Sequence, residues 1–166
     1  MSPILDEHSL DFFSRSAEQT RRMGIRLGQL LQPGDLICLA GDLGAGKTTL
    51  VQGIAAGWGS LDAVSSPTFI LVNIYRRPDG LTLSHLDAYR MASALEAEDL
   101  DLEPLIQNGP VVVEWPERIV EVLPEERLWV SLRWLAEEQR GMLFKGSGPR
   151  YEAMVQKLKK QTYGGA

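Results

Sequence analysis

The sequence predicts an α/β fold with a mostly parallel central sheet, antiparallel flanking strands and helices on both faces. Apolar runs that are typical of strands alternate along the chain with segments of helical periodicity, as α/β folds require. A glycine-rich segment, residues 41–48, joins one such apolar run to a helical segment. Two runs of alternating apolar and polar residues, 68–76 and 80–86, flank a Pro-Asp-Gly turn and predict an antiparallel hairpin.

A strand, a helix and a second strand are predicted before the glycine-rich segment. Residues 8–13 can form a short opening strand. Ser16, with a glutamine three positions later, is a capping-box signal for a helix that runs to about Leu31. A Pro-Gly pair then ends the helix, and the apolar run Asp35–Ala40 predicts a buried strand.

The rest of the chain continues this alternation. The predicted elements are a helix from Gly46 to about Gly57, an ordered loop over 60–67, the hairpin, a short acidic helical region over 94–107 interrupted by Pro104, a buried central strand Val111–Val113, a short helix over 116–122, strands over 128–135 and 142–145, and a final helix from Pro149 to about Lys160. We expect one domain, residues 1–166, with a disordered tail after about residue 161.

Composition and charge restrict the function. Hydrophobic residues make up 44% and charged residues 23% of the chain, as in an ordinary globular protein. The net charge of -5 argues against autonomous binding to nucleic acid. Cys38 is the only cysteine, which excludes a disulfide framework. Neither a secretory signal nor an apolar run of membrane-spanning length is evident, so we expect a cytoplasmic protein without a membrane partner.

Residues 41–48 read Gly-Asp-Leu-Gly-Ala-Gly-Lys-Thr and match the phosphate-loop pattern between a strand and a helix. The glycines let the backbone wrap a polyphosphate with its N–H groups pointing inward, and the helix dipole favours the same anion. Lys47 can reach the β- and γ-phosphates, and the Thr48 hydroxyl can bind Mg²⁺. We expect nucleotide contacts from Gly41, Gly44, Ala45, Gly46, Lys47, Thr48 and Thr49.

Two acidic residues close apolar runs at the strand ends, where an open α/β sheet places its ligand. Asp87 follows residues 83–86, and Glu114 follows Val111–Val113. In a functional interpretation, Asp87 contacts Mg²⁺ directly or through water, while Glu114 polarises the attacking water or binds the metal itself. The two roles can also be exchanged. Alternatively, both residues are strand-end acids on solvated loops.

Two further segments offer candidate residues around a nucleotide. Ser66 and Thr68 lie in a hydroxyl-rich turn, where a threonine can sense the γ-phosphate or Mg²⁺ as switch segments do. A plain turn shaped by Pro67 is the alternative. Trp115 can stack on a base or pack in the core. A guanine-reading N-K-x-D or T-K-x-D motif is missing from the sequence, which favours adenine, and therefore ATP, by elimination.

Four motifs in order give the chain a specific resemblance. The segments GDLGAGKTT (41–49), SPTF (66–69), HLDAYR (85–90) and EWPER (114–118) resemble the motif set of the TsaE family, also called YjeE, of small bacterial P-loop ATPases. Residues 16–20 also resemble that family's opening S-x-x-x-T segment. The third motif departs from the usual H-F-D-L-Y-R by carrying leucine and alanine in place of larger residues, which affects packing under the aspartate rather than its chemistry.

The resemblance implies a P-loop NTPase-like fold and a role in making threonylcarbamoyladenosine in tRNA. It implies that Lys47 and Thr48 bind phosphate and Mg²⁺, that Thr68 belongs to a switch-like segment, that Asp87 is a Walker-B-like aspartate, that Glu114 and Trp115 form a pair important for ATP turnover, and that Thr20 lies near the nucleotide. The family works with two protein partners, TsaB and TsaD, so tRNA would be contacted only indirectly, through the complex.

The main hypothesis is therefore an ATPase subunit that is slow alone and completed by its partners, because no arginine finger is evident in the sequence. A small-metabolite kinase is one alternative, although the acidic region 91–108 does not resemble an arginine-rich lid. A nucleotide-sensing adaptor without turnover is the other. The sequence leaves open whether ATP binding or ATP hydrolysis is the signal.

Overall fold

A computed structural model describes residues 8–42, 44–64, 72–90 and 101–164 of the chain. In these ranges, seven strands form a single mixed sheet in the order β1-β7-β6-β2-β5-β4-β3. The strands are β1 Ser9–Ser14, β2 Leu36–Ala40, β3 Val72–Arg76, β4 Thr82–Asp87, β5 Val111–Glu114, β6 Arg127–Ala136 and β7 Gln139–Ser147. Strands β6, β2, β5 and β4 are parallel, and the others pair antiparallel, which confirms the predicted centre and flanks.

The described residues also form four α-helices. They are α1 Ala17–Leu30, α2 Lys47–Trp58, α3 Leu102–Asn108 and α4 Pro149–Tyr163, and 3₁₀ turns cover Ala88–Arg90, Pro116–Arg118 and Val120–Val122. The Ser16 hydroxyl accepts a hydrogen bond from the Gln19 backbone N–H at 3.1 Å, so the predicted N-cap of α1 is confirmed. Among the described helices, none is long and apolar enough to cross a bilayer.

Alternating residues of the parallel strands supply two apolar clusters, one on each face of the sheet. In β2, Ile37 and Leu39 pack with α1, α2 and α4, whereas Leu36 and Cys38 face the opposite cluster. That second cluster is covered by α3 and by the 3₁₀ turn that follows Ile119. Helices therefore lie on both faces, but the face with α1 and α2 carries the larger core.

Helices α1 and α2 are in backbone contact because glycines face each other across their interface. A Cβ added at Gly28 would lie 2.1 Å from the Ile54 carbonyl oxygen, and one at Gly53 would lie 2.1 Å from the Arg21 carbonyl oxygen. Side chains at these positions would push the helices apart. The contact fixes the start of α1 beside the start of α2.

Three expectations about element boundaries are wrong. Pro104 does not interrupt its helix, because α3 begins at Leu102 and a proline in the first turn lacks only an N–H that would have no helical partner. Residues 116–122 form two short 3₁₀ turns instead of one helix. The tail is helical to Tyr163, whose hydroxyl donates to the Asp11 carbonyl oxygen at 2.8 Å.

Candidate nucleotide-binding site

The phosphate loop connects the end of β2 to the start of α2. Gly46 adopts φ +101° at the N-cap of α2, a left-handed conformation that favours glycine, and it has no side chain with which to cap the helix. No side chain at the N-cap position therefore occupies the first N–H groups of α2. Free N–H groups of this kind are what a helix N-terminus uses to bind an anion. Leu43, within the loop, lies outside the described residues.

Lys47 is the buried cation of this loop, with 6% of its surface exposed. Its Nζ donates a hydrogen bond to the Gly41 carbonyl oxygen and lies 3.8 Å from the centroid of the Trp115 ring. Burial lowers the pKa of Lys47, and the nearby Glu114 carboxylate is the largest influence that raises it again. The ammonium thus rests among protein groups at the base of the loop.

Asp87 and Glu114 are brought together as register partners at the ends of β4 and β5. Leu86 and Val113, which directly precede them, face the cluster that α3 covers. Because side chains alternate along a strand, both acids lie on the other face of the sheet, the one that carries the phosphate loop. The Oδ1 atom of Asp87 accepts from the Tyr89 backbone N–H at 3.0 Å. Glu114 is only 8% exposed, so the alternative of a solvated loop acid is wrong for Glu114.

A buried hydrogen-bonded chain holds Glu114 from behind. His85 is 1% exposed, and its Nε2 pairs with Oε2 of Glu114, while its Nδ1 lies 3.0 Å from the Tyr75 hydroxyl. Burial raises the pKa of Tyr75 to about 12, so the phenol keeps its proton and can donate it to Nδ1. In the neutral tautomer that accepts at Nδ1, the ring proton sits on Nε2 and is donated to Glu114.

Sequence reasoning missed this role of His85. The available signal was its position two residues before Asp87, which puts both side chains on one face of a strand. Its partner Tyr75 comes from β3, the other strand of the predicted hairpin, but the pattern did not specify the register that brings the two side chains together.

Trp115 completes the same side of the loop through ring and cation contacts. Its ring centroid lies 4.8 Å from that of Tyr89, and the Arg118 guanidinium lies 4.8 Å above the Tyr89 ring. The Trp115 backbone has φ +59°, which is rare for a residue other than glycine. We call the group of Lys47, Asp87, Glu114, His85 and Trp115 the acidic side of the loop.

The opposite side of the loop faces α1 and the β6–β7 hairpin. A small cavity of about 70 Å³ lies here, lined by Ala17, Thr20, Gly46, Thr49, Glu138 and Arg140. Thr20 is 1% exposed and shares a hydrogen bond of 2.6 Å with the Ser14 hydroxyl. The fold therefore places Thr20 next to two residues of the predicted loop. We call Thr20, Thr49, Glu138 and Arg140 the hairpin side.

Comparison with known proteins identifies the family. A family model described as "Threonylcarbamoyl adenosine biosynthesis protein TsaE" matches residues 14–142. The chain belongs to the TsaE family. Proteins called "tRNA threonylcarbamoyladenosine biosynthesis protein TsaE" are similar along most of their length. The one from Streptomyces coelicolor is 44% identical over 79% of this chain and 93% of its own, and the one from Bacillus subtilis is 40% identical over 85% and 88%.

A solved structure supports the same relationship. The crystal structure of Bacillus subtilis YdiB matches with a TM-score of 0.76 and 33% sequence identity, over 93% of this chain and 96% of that chain. The mixed α/β architecture is thus shared across nearly the whole of both chains. The TsaE relative from Treponema pallidum is 42% identical and matches 76% of this chain.

The TsaE-like motifs differ in how much of them the structure describes. Ser66 and Thr68, the predicted switch residues, lie outside the described residues. Thr48 is half-buried in the first turn of α2, beside Lys47. In the described part of the chain, no group of at least three His, Cys, Asp or Glu side chains is placed to hold a metal ion. The Thr48 hydroxyl and the carboxylates of Asp87 and Glu114 are oxygen ligands of the kind that Mg²⁺ prefers. The ion usually completes its coordination shell with water and phosphate oxygens.

Proposed function

We propose that this TsaE-family chain binds ATP with Mg²⁺ and hydrolyses it as a subunit of the machinery that makes threonylcarbamoyladenosine in tRNA. In this proposal residues 1–166 form one P-loop NTPase-like domain that acts in the cytoplasm. TsaB and TsaD are its protein partners, and tRNA is reached through them. The net charge of -5 agrees with a subunit that does not itself grip tRNA.

The position of Lys47 carries the proposal. Its ammonium is buried at the start of α2 and lies close enough to Glu114 and Asp87 for both carboxylates to raise its pKa. A buried lysine beneath an open helix N-terminus, with strand-end acids opposite, is the arrangement that phosphoryl transfer uses. The glycine conformation at Gly46 supports the same interpretation.

The geometry suggests how the residues would divide the work. Lys47 would leave the Gly41 carbonyl and the Trp115 ring and neutralise charge on the β- and γ-phosphates. Glu114, oriented by His85, would align the attacking water and take up its proton. Thr48 and Asp87 would hold Mg²⁺, which would supply further charge neutralisation when bound; in the alternative assignment Asp87 and Glu114 exchange their roles.

Calorimetric titration with Mg²⁺ and ATP tests the binding step. We expect heat of binding for the wild type, strongly reduced heat for Lys47→Glu, and a wild-type signal for Lys157→Glu, which changes an exposed lysine on α4. A wild-type protein without measurable binding would contradict the proposal. So would equal binding by Lys47→Glu.

Single-turnover hydrolysis with and without TsaB–TsaD tests the second step. We expect phosphate release that accelerates in the presence of the partners. Transfer of labelled phosphate to a small molecule in a metabolite extract would favour the kinase alternative. Tight ATP binding with ATP-dependent partner docking and no phosphate release would favour the adaptor.

A further inference from the structure

Arg140, near the start of β7, packs directly on the phosphate loop. It is the register partner of Trp134 in β6. A Cβ added at Gly46 would lie 3.4 Å from the Cγ atom of Arg140 and 3.6 Å from its Nε atom. The glycine of the loop therefore lies flat against the arginine side chain. An arginine from the β6–β7 hairpin is in this way built into the wall of the nucleotide site.

The guanidinium of Arg140 is fixed in place but only partly satisfied. Its Nη1 donates to the carbonyl oxygens of Ala136 and Gln139, each at 2.9 Å. Its Nε is buried and has no hydrogen-bond partner among the residues that the structure describes. No carboxylate in that part of the chain forms an ion pair with it either. Buried donors without a partner are costly and rare in native proteins, and a bound anion can supply the acceptor that the described residues do not.

The order of the strands indicates which end of a bound nucleotide would lie beside Arg140. Strand β2 leads into the loop and has β5, with Glu114, on one side and β6, which pairs with β7, on the other. Lys47 lies on the Glu114 side. Thr49, on the cavity beside Arg140, is about 200° further around the α2 axis. A γ-phosphate beside Lys47 and Glu114 therefore leaves the sugar-proximal end of the nucleotide on the hairpin side.

The cavity on the hairpin side has matching chemistry. Its volume of about 70 Å³ has room for part of a phosphate or a sugar but not for a whole nucleoside. Thr49 and Arg140, which line it, carry a hydroxyl and a guanidinium that can donate to phosphate oxygens, whereas the Thr20 hydroxyl donates to Ser14. The Glu138 carboxylate on the same cavity can accept from sugar hydroxyls, which lie next to the first phosphate.

We propose that Arg140 binds the sugar-proximal phosphate of the nucleotide and so supplies a cationic contact from within the chain. This inference rests on the proposed function, because it adds a residue to the same site. The two bonds from Nη1 to the hairpin hold the guanidinium before the ligand arrives, and a phosphate oxygen takes the vacant place beside the remaining N–H groups.

Affinity measurements on Arg140→Ala and Arg140→Lys test the inference. Binding of ADP, ATP and inorganic tripolyphosphate, each with Mg²⁺, should weaken roughly 10- to 100-fold in Arg140→Ala, since a charge-assisted contact to phosphate is lost in all three ligands. The affinity of Arg140→Lys should lie between those of the wild type and Arg140→Ala. Arg133→Ala removes an exposed arginine from the same hairpin and should bind as the wild type does.

A spectroscopic readout separates a phosphate contact from a merely structural role. In Arg140→Lys, whose side chain can still pack on Gly46, the α-phosphorus ³¹P resonance of bound ADP should shift while the β-phosphorus resonance stays in place. The melting temperature of each unliganded variant shows whether it folds, and the Lys variant keeps the test valid if the Ala variant does not.

Three results would overturn the inference. The first is unchanged affinity of Arg140→Ala for all three ligands, and the second is an α-phosphorus resonance that does not shift in Arg140→Lys. The third is weaker binding of ADP and ATP by Arg140→Ala with unchanged binding of tripolyphosphate, which would assign Arg140 to the nucleoside. Failure of the proposed function looks different, because the wild type would then bind neither ATP nor tripolyphosphate.

Discussion

The acidic side and the hairpin side of the phosphate loop are prepared for a ligand in opposite ways. On the acidic side, Lys47 and Glu114 already have partners within the protein: Lys47 contacts the Gly41 carbonyl and the Trp115 ring, and Glu114 contacts His85. On the hairpin side, Arg140 is tied to backbone carbonyls and keeps a buried donor without a partner in the described chain.

This difference suggests which contacts change when a triphosphate enters. The acidic side has to exchange protein contacts for ligand contacts, so part of the binding free energy is consumed there. The hairpin side has a donor to offer without breaking a bond, so it should grip the nucleotide with little rearrangement. Binding and turnover should therefore respond separately to substitutions on the two sides.

The largest effect is expected from Glu114→Gln, which keeps the shape of the side chain and an acceptor for His85 but removes the proton acceptor. ATP turnover in the presence of TsaB–TsaD should fall roughly 10²- to 10⁴-fold, with ATP affinity within about threefold of wild type. Glu117→Gln changes the exposed neighbouring acid and is the matched control. Turnover at the wild-type rate in Glu114→Gln would show that Glu114 is not the proton acceptor in the reaction.

The next largest effect is expected at His85, which we assign to positioning Glu114. His85→Ala should lower kcat roughly 10- to 100-fold with little change in KM, because the Glu114 carboxylate loses its fixed orientation. His85→Gln, which can still donate to Glu114, should recover part of the loss. Tyr75→Phe tests the outer link of the chain and should have a smaller effect. A raised KM with unchanged kcat would assign His85 to binding instead.

A smaller effect, on stability, is expected from Gly53→Ala in the α1–α2 contact that supports the hairpin side. The new Cβ would meet the Arg21 carbonyl oxygen at 2.1 Å, so the helices must separate. We expect the free energy of unfolding in urea to fall by about 1–3 kcal/mol, even after the better helix propensity of alanine. Ala56→Leu adds bulk on the exposed face of α2 and should change stability little. A Gly53→Ala protein as stable as the wild type would show that α1 and α2 can separate enough for the new Cβ without loss of stability.

The smallest effect is expected at Cys38, which reports whether the sheet itself opens. The thiol is fully buried in β2, and burial raises its pKa from 9.0 to about 12. It should therefore stay unreactive toward a disulfide reagent, with or without ATP, if rearrangement is confined to the loop. Rapid labelling of the ATP complex would show that the change reaches the sheet.

The same thiol affects the pH dependence of stability. Because the thiol ionises at lower pH in the unfolded chain than in the folded protein, Cys38 lowers the free energy of unfolding as the pH rises above about 9.

Local signals explain what the sequence could predict. The strand and helix on either side of residues 41–46, the Ser16 cap and the strand that ends in Glu114 each depend on neighbours within a few residues, so pattern and propensity were sufficient. The strand-end rule also brought Asp87 and Glu114 to one edge of the sheet, although it could not give their order across the sheet.

Long-range pairing explains what the sequence could not predict. His85 meets Glu114 only because β4 pairs with β5, and Arg140 meets Gly46 only because the β6–β7 hairpin folds beside β2. No spacing rule connects positions that far apart in the chain. The four glycines of the α1–α2 contact were visible in the sequence as two pairs four residues apart, Gly24 with Gly28 and Gly53 with Gly57, but their meaning depended on which helices were neighbours.

The cation resting on Trp115 gives the protein an optical reporter of its own. An ammonium group 3.8 Å from an indole perturbs its emission, and Lys47 has to move away to reach a triphosphate. Intrinsic fluorescence should therefore change as nucleotide binds and return as the product leaves. Stopped-flow mixing with unlabelled ATP can then time each stage of the cycle, with Trp115→Phe as the silent reference.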